Sequence, residues 1–238
     1  MSALAKMHFS ILWIMAKCRF IFFDVGNTLL FPNRARMLEP LPEDRHPTLA
    51  AWQALERRTK QEFDQGVQDG KVDHGFWWIF HTHLLDQLNA LDDGVRDSLV
   101  ANTQNSANWD QILPGTRDTL ERLREEYAIA VISNADGKIE AVLRRCGIVD
   151  CFASITDSGI VGQEKPHPGI FEAALREMKA EPAESLYVGD MYSVDYVGAR
   201  NVGMQAVLLD VAGAYREREF PRVESLAGLE DWLSNNNH

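Results

Sequence analysis

The apolar run Phe20-Ile21-Phe22-Phe23 ends in Asp24 and turns at once through Val25-Gly26-Asn27. Apolar residues without alternation read as a strand covered on both faces, as in the middle of a parallel sheet. A carboxylate at the end of such a strand is costly to bury alone, so it calls for a cation or a metal beside it. Two residues on, Gly26 offers no side chain where a second acid would assist phosphate chemistry.

Four further apolar runs read as buried strands: Ala128–Ile132, Phe152–Ile155, Leu186–Val188 and Ala206–Leu209. Helical patterns alternate with them over 116–126, 137–146, 168–179 and 195–201, which implies parallel pairing through right-handed crossovers. The first strand breaks the rhythm. Between it and Pro114-Gly115 the pattern is helical throughout: Leu49, Trp52, Leu55, Thr59 and Phe63 share a face, and 76–91 and 93–105 are amphipathic. Pro32, Pro40, Pro42 and Pro47 punctuate the entrance. The expected fold class is α/β: a Rossmann-like doubly wound parallel sheet core, residues 17–31 and 112–238, with an inserted all-helical cap, residues 32–111.

Residues 1–16 are expected to be an N-terminal extension without assigned role, or translation is expected to start naturally at Met15. The apolar stretch Met7–Met15 falls short of the roughly 20 residues of a spanning helix, and it runs into the Asp24 strand with little room for a cleavage site. No membrane association is expected. A net charge of −11 argues against a nucleic-acid partner, which needs clustered Lys and Arg. Cys18, Cys146 and Cys151 form no metal-like or disulfide spacing and point to reduced thiols and a cytoplasmic setting.

Polar residues collect where the strands end. The first strand ends in Asp24, the second in Ser133-Asn134, and the fourth in Gly189-Asp190 with Asp195 following. The loop after the third reaches Glu164-Lys165-Pro166-His167-Pro168. Ligands of open parallel sheets bind beyond these ends. Asp24 and Asp190 are hard oxygen ligands suited to Mg²⁺, and Gly26 can offer its backbone carbonyl. Ser133 and the turn amides after it can donate to phosphate oxygens, and Lys165 adds a positive charge. Asp24 can attack phosphorus as carboxylate nucleophiles do. Each residue has a plainer reading: Ser133-Asn134 as a turn, Lys165 as a solvated charge, Asp195 as a first-turn helix acid. Their joint placement favours a site. His81 and His83, at i and i+2, do not share a helix face, so a metal pair there is discounted. Phe76, Trp77 and Trp78 read as cap packing.

These segments resemble the four motifs of the haloacid dehalogenase superfamily, in particular its phosphatase-like branch. They are Asp24-Val25-Gly26-Asn27-Thr28-Leu29-Leu30, Ile132-Ser133-Asn134, Lys165-Pro166-His167-Pro168-Gly169-Ile170-Phe171, and Val188-Gly189-Asp190 with Asp195. The resemblance implies a Mg²⁺-dependent hydrolase of a small phosphorylated substrate. Asp24 would be the nucleophile forming an aspartyl-phosphate. Ser133, Asn134 and Lys165 would bind phosphate, and Asp24, Gly26 and Asp190 would hold the metal. Asp195 would orient Lys165 or a metal-bound water.

Gly26 departs from that pattern, because most phosphatases of the superfamily carry there the Asp that serves as general acid and base. Such help is worth about 10²–10⁴-fold. Glu164, His167, Asp136, Asp64 and Asp73 are candidate substitutes. Alternatively, the substrate carries an activated leaving group, or the protein binds phosphate with little catalysis. Dehalogenase and phosphonatase members also lack this Asp. Gly189-Asp190 argues against the first, and the second wants a cap lysine in an apolar pocket, which neither Lys60 nor Lys71 suggests.

Overall fold

The computed structural model describes residues 17–71 and 74–236. The expected N-terminal extension and Asp73 lie outside the described residues. The chain opens with β1 (Phe20–Phe23) and β2 (Leu30–Pro32), then the helices α1 (Arg34–Met37), α2 (Leu49–Asp69), α3 (Phe76–Gln87) and α4 (Asp93–Gln104). After β3 (Trp109–Ile112) come α5 (Thr116–Glu126), β4 (Ala128–Ser133), α6 (Ile139–Arg145), β5 (Ser154–Asp157), α7 (Ser158–Val161) and α8 (Pro168–Met178). The chain continues through β6 (Ser185–Gly189), a π-helical turn (Tyr192–Tyr196), α9 (Val197–Asn201), β7 (Gln205–Leu209), β8 (Arg222–Val223) and α10 (Leu226–Asn236).

The main sheet runs β5-β4-β1-β6-β7-β8 with every pairing parallel. The lack of alternation in Phe20–Phe23 has its reason here. Ile21 and Phe23 join one core layer with Leu120, Val142 and Leu229, whereas Phe22 joins the other with Ile170, Phe171 and Ala199. Successive side chains leave opposite faces of a strand, and helices cover both, so all must be apolar. The connections turn to β4 and β5 on one side of β1 and to β6 and β7 on the other. This reversal opens the crevice in which parallel sheets bind ligands.

Helices α1 to α4 all lie between β2 and β3, which pair antiparallel in a separate two-stranded sheet. Thr48 caps α2 through a 3.2 Å bond from Ala51 N–H, and Gly70 ends it in the left-handed conformation. The aromatic residues of this region pack among themselves, with Trp77 edge-on to Phe76, Phe80 and Trp109. His81 bonds Thr103 at 2.7 Å and His83 bonds Glu62 at 2.7 Å, so the two histidines serve different neighbours.

The elements β2, β3, β8, α7 and α10 escape the periodicity of the sequence. The strands β2, β3 and β8 are too short to show a pattern. The helix α10 buries only Leu229 and Leu233. The strand expected at 152–155 pairs two residues later, because Phe152 turns out of line to pack on Phe23 while Thr156 and Asp157 pair with Ile132 and Ser133. The helix expected at 195–201 begins as the wider π turn. That turn sets Asp195 against the end of β6, where a Cβ on Gly189 would stand 2.5 Å from Asp195 Cγ. Gly189→Ala is therefore expected to destabilise the protein by about 1–3 kcal/mol. Thermal denaturation checks this, and an unchanged melting temperature would contradict the close approach.

Candidate functional site

The strand ends meet at Lys165. Its ammonium is buried and donates to Asp24 Oδ1 at 2.6 Å, Asp195 Oδ1 at 2.7 Å and the Tyr187 hydroxyl at 2.7 Å. Three donors thus meet three acceptors, the full capacity of an ammonium. The Tyr187 hydroxyl in turn donates to the Ile132 carbonyl at 3.1 Å, linking β6 to the end of β4. Tyr187 gave no sign of this role in an apolar strand, although a buried phenol always needs a partner.

Each remaining carboxylate has a defined setting. Asp195 Oδ2 accepts from the amides of Asp190 at 3.0 Å and Met191 at 2.9 Å, which closes the π turn around it. With both oxygens engaged, Asp195 has the form of a positioning group for Lys165. Asp190 Oδ2 lies 2.7 Å from the ammonium of Lys60, which reaches in from α2 and also meets Glu56 at 2.8 Å. Burial pushes Lys60 down, but Asp190 and Glu56 push it further up, so it stays charged. An electrophile-seeking amine needs the opposite surroundings, so this lysine is no Schiff-base former.

Asp24, Asp190 and Asp195 bring oxygen atoms within 4.8 Å of one another. Among the described residues no hydrogen bond reaches Asp24 Oδ2 or Asp190 Oδ1. The bridge between Gly26 and Leu30 uses the Val25 carbonyl and the Asn27 amide, and leaves the Gly26 carbonyl out. The two unengaged carboxylate oxygens are hard donors that fit a small divalent cation. Burial drives Asp24 up to about 7 despite Lys165, with Asp195 and Asp190 adding to the rise. Burial drives Asp190 up to about 6 despite Lys60. A site so rich in buried negative charge favours a positive ion.

Ser133 ends β4, buried, one residue beyond the Ile132 carbonyl that Tyr187 meets. Of the turn amides expected to serve phosphate, Ala135 donates to Ser158 Oγ at 3.0 Å and Gly137 to Asp157 Oδ1 at 3.0 Å. Buried Asp157 takes the Gly137 amide together with those of Ile139 and Gly159. Asn134 holds the backbone of Lys165 from both sides, donating to its carbonyl at 3.0 Å and accepting from its amide at 2.7 Å.

None of the described candidates takes the place of an acid at Gly26. Glu164, His167 and Asp136 are exposed, and His167 caps α8. Asp64 is committed to Ser193 N–H at 3.0 Å and the Tyr215 hydroxyl at 2.8 Å. The space beside Gly26 belongs to Trp109. A Cβ there would stand 3.3 Å from the Trp109 ring, and the three nearest atoms all belong to it. The indole N–H donates to the Thr103 carbonyl at 2.7 Å, which fixes the ring.

The chain is similar to known proteins along most of its length. Residues 18–203 match the profile of the hydrolase family described as haloacid dehalogenase-like hydrolase. The human haloacid dehalogenase-like hydrolase domain-containing protein 3 is 31% identical over 211 residues, covering 80% of this chain and 81% of that protein. The glyceraldehyde 3-phosphate phosphatase of Methanothermobacter thermautotrophicus is 40% identical over 108 residues, covering 44% of this chain and 48% of that protein. The HAD-hydrolase YfnB from Bacillus subtilis, solved bound to magnesium, shares the fold with a TM-score of 0.67 at 19% identity, over 92% of this chain and 99% of that one. Among the described residues, no helix is long and apolar enough to cross a membrane. With its motifs gathered at one sheet edge and the family profile spanning most of its length, the chain belongs to the haloacid dehalogenase-like hydrolases.

Proposed function

We propose that the protein is a Mg²⁺-dependent phosphatase of a small phosphorylated metabolite, working through Asp24. The observation that carries this reading is the Lys165 ammonium, which holds Asp24 and Asp195 beside Asp190 at the mouth of the crevice. Asp24 attacks phosphorus, an Asp24 oxygen–phosphorus bond forms, and the bond to the leaving oxygen breaks with its electron pair. Water then cleaves the aspartyl-phosphate and returns the carboxylate. Lys165 offsets charge at the reacting centre, Ser133 donates to a phosphate oxygen, and Asn134 keeps Lys165 in place. Asp24, the Gly26 carbonyl and Asp190 would hold the metal, which when bound supplies Lewis-acid stabilisation of the phosphoryl oxygens. The phosphatase named among the relatives supports a phosphate ester as the substrate class. The helices between β2 and β3 would close over it and exclude water. Cys18, Cys146 and Cys151, which form no disulfide among the described residues, accord with a cytoplasmic setting.

Trp109 gives this reading a particular form. With an indole over Gly26, no acid among the described residues stands there to protonate the leaving oxygen. Substrates whose leaving group departs unprotonated, such as acyl or aryl phosphates, suit the site better than alkyl phosphates.

Three outcomes test the reading. Asp24→Asn and full chelation of divalent ions are each expected to reduce aryl phosphate turnover to background, and persistence of either activity would refute the corresponding assignment. Gly26→Asp alone is expected to gain little on alkyl phosphates, because the ring obstructs it. Combined with Trp109→Ala, it should gain up to about 10²-fold, within the range for general acid help. An equal gain from Gly26→Asp alone would remove Trp109 from the explanation. The third outcome concerns pH. The folded, metal-free protein keeps protons on Asp24 and Asp190 well above the ordinary value of 3.8. The stability that these two carboxyls contribute is therefore fullest below about 3.8 and is lost as pH rises from there through about 6 to 7, over which the unfolded chain is already ionised. Mg²⁺ opposes that loss, so it should raise the melting temperature more at about pH 8 than at about pH 5. Equal shifts would mean that these carboxylates do not hold the ion.

A further inference from the structure

Arg57, Lys60, Gln61 and Asp64 stand at i, i+3, i+4 and i+7 of α2 and share one face. That face meets two loops of the core almost wholly through polar groups. Arg57 donates to the Ala212 carbonyl at 3.0 Å and Gln61 to the Ala214 carbonyl at 3.1 Å. Asp64 accepts from Ser193 N–H and the Tyr215 hydroxyl. The loop they grip is held from behind by Asp210, which accepts from the amides of Ala214 at 2.7 Å and Tyr215 at 2.9 Å. Lys60 lies amid these contacts, 1% exposed, and its partner across the interface is Asp190, a member of the carboxylate cluster.

We propose that Lys60 competes with the divalent cation for Asp190: it neutralises that carboxylate in the metal-free enzyme and passes to Glu56 when the metal binds. This rests on the metal reading given above. An ammonium and a dication on one buried carboxylate repel each other strongly, because the interior screens charge poorly. The lysine has a place to go without leaving its helix. Glu56 precedes it by one turn at 2.8 Å, in the favourable order of acid before base. Metal affinity is thereby set by a residue of the helical insertion, and the docking of α2 is linked to metal occupancy.

Titration calorimetry of the full chain with Mg²⁺ tests the competition. Lys60→Met, which keeps the length and removes the charge, should bind Mg²⁺ about tenfold or more tightly than the wild type. Glu56→Gln, which removes the receiving carboxylate, should bind it about tenfold more weakly. Arg57→Met removes the same charge from the same helix face without touching Asp190, and should stay within about twofold. Should Lys60→Met fail to fold, Lys60→Gln leaves Asp190 a neutral donor and carries the same expectation. Unchanged or weaker binding in the Lys60 variant overturns the proposal, as does an equal gain in Arg57→Met, which would reduce the effect to general charge. Asp190→Asn separates the two ideas. If it abolishes binding while the Lys60 variant matches the wild type, the competition fails and the metal reading stands. If the wild type binds no Mg²⁺, or Asp190→Asn binds it equally well, both fail.

Discussion

A single buried ammonium holds this site together. Lys165 meets Asp24 from β1 and Tyr187 from β6, and Asp195 from the turn beyond β6. Removing one partner from such a set leaves an uncompensated charge in the interior, which costs about 3–5 kcal/mol. The geometry at the crevice follows from meeting that demand. Asn134 clamps the backbone around Lys165, and Gly189 lacks a side chain so that Asp195 can approach. The π turn brings the amides of Asp190 and Met191 onto Asp195. The chain thus spends much of its polar bonding on fixing Asp24 and its neighbours in advance, as preorganised electrostatic sites require.

The second theme is the division of labour between sheet and helical insertion. The sheet contributes Asp24, Ser133 and Asp190, all at carboxyl ends of parallel strands. The insertion contributes Lys60 and Glu56 from α2, and Trp109 enters from β3 where the chain returns to the sheet. These three alter the chemistry that the sheet residues alone would suggest. Lys60 adds positive charge against Asp190, and Trp109 puts an apolar ring beside Gly26. The polar character of the α2 interface also fits a contact that opens and closes, since few apolar contacts need be lost when it separates.

The sheet residues were legible because a rule of position finds them. Apolar runs without alternation mark buried strands, and polar residues that end such runs face a common edge. Asp24, Ser133, Asp190 and Asp195 follow directly, and Lys165 follows from its loop. Tyr187 hid inside an apolar strand, where its hydroxyl is invisible to periodicity. Asp157 and Ser158, which consume the turn amides of Ala135 and Gly137, looked like the ordinary end of a strand. Short elements such as β2, β3 and β8 carry too few residues for any pattern to emerge.

The sequence by itself determined that the chain forms a doubly wound parallel sheet with polar residues at its strand ends, Asp24 among them, because local hydrophobic pattern and strand-end position are properties of contiguous residues. It also showed that Gly26 bears no acid. Only the tertiary structure decided what stands there instead. Trp109 reaches Gly26, and Lys60 reaches Asp190, across long separations in the chain, and each contact arises from the docking of the helical insertion on the sheet. Such pairings depend on how two separately patterned surfaces meet, and neither surface encodes its partner in its own periodicity.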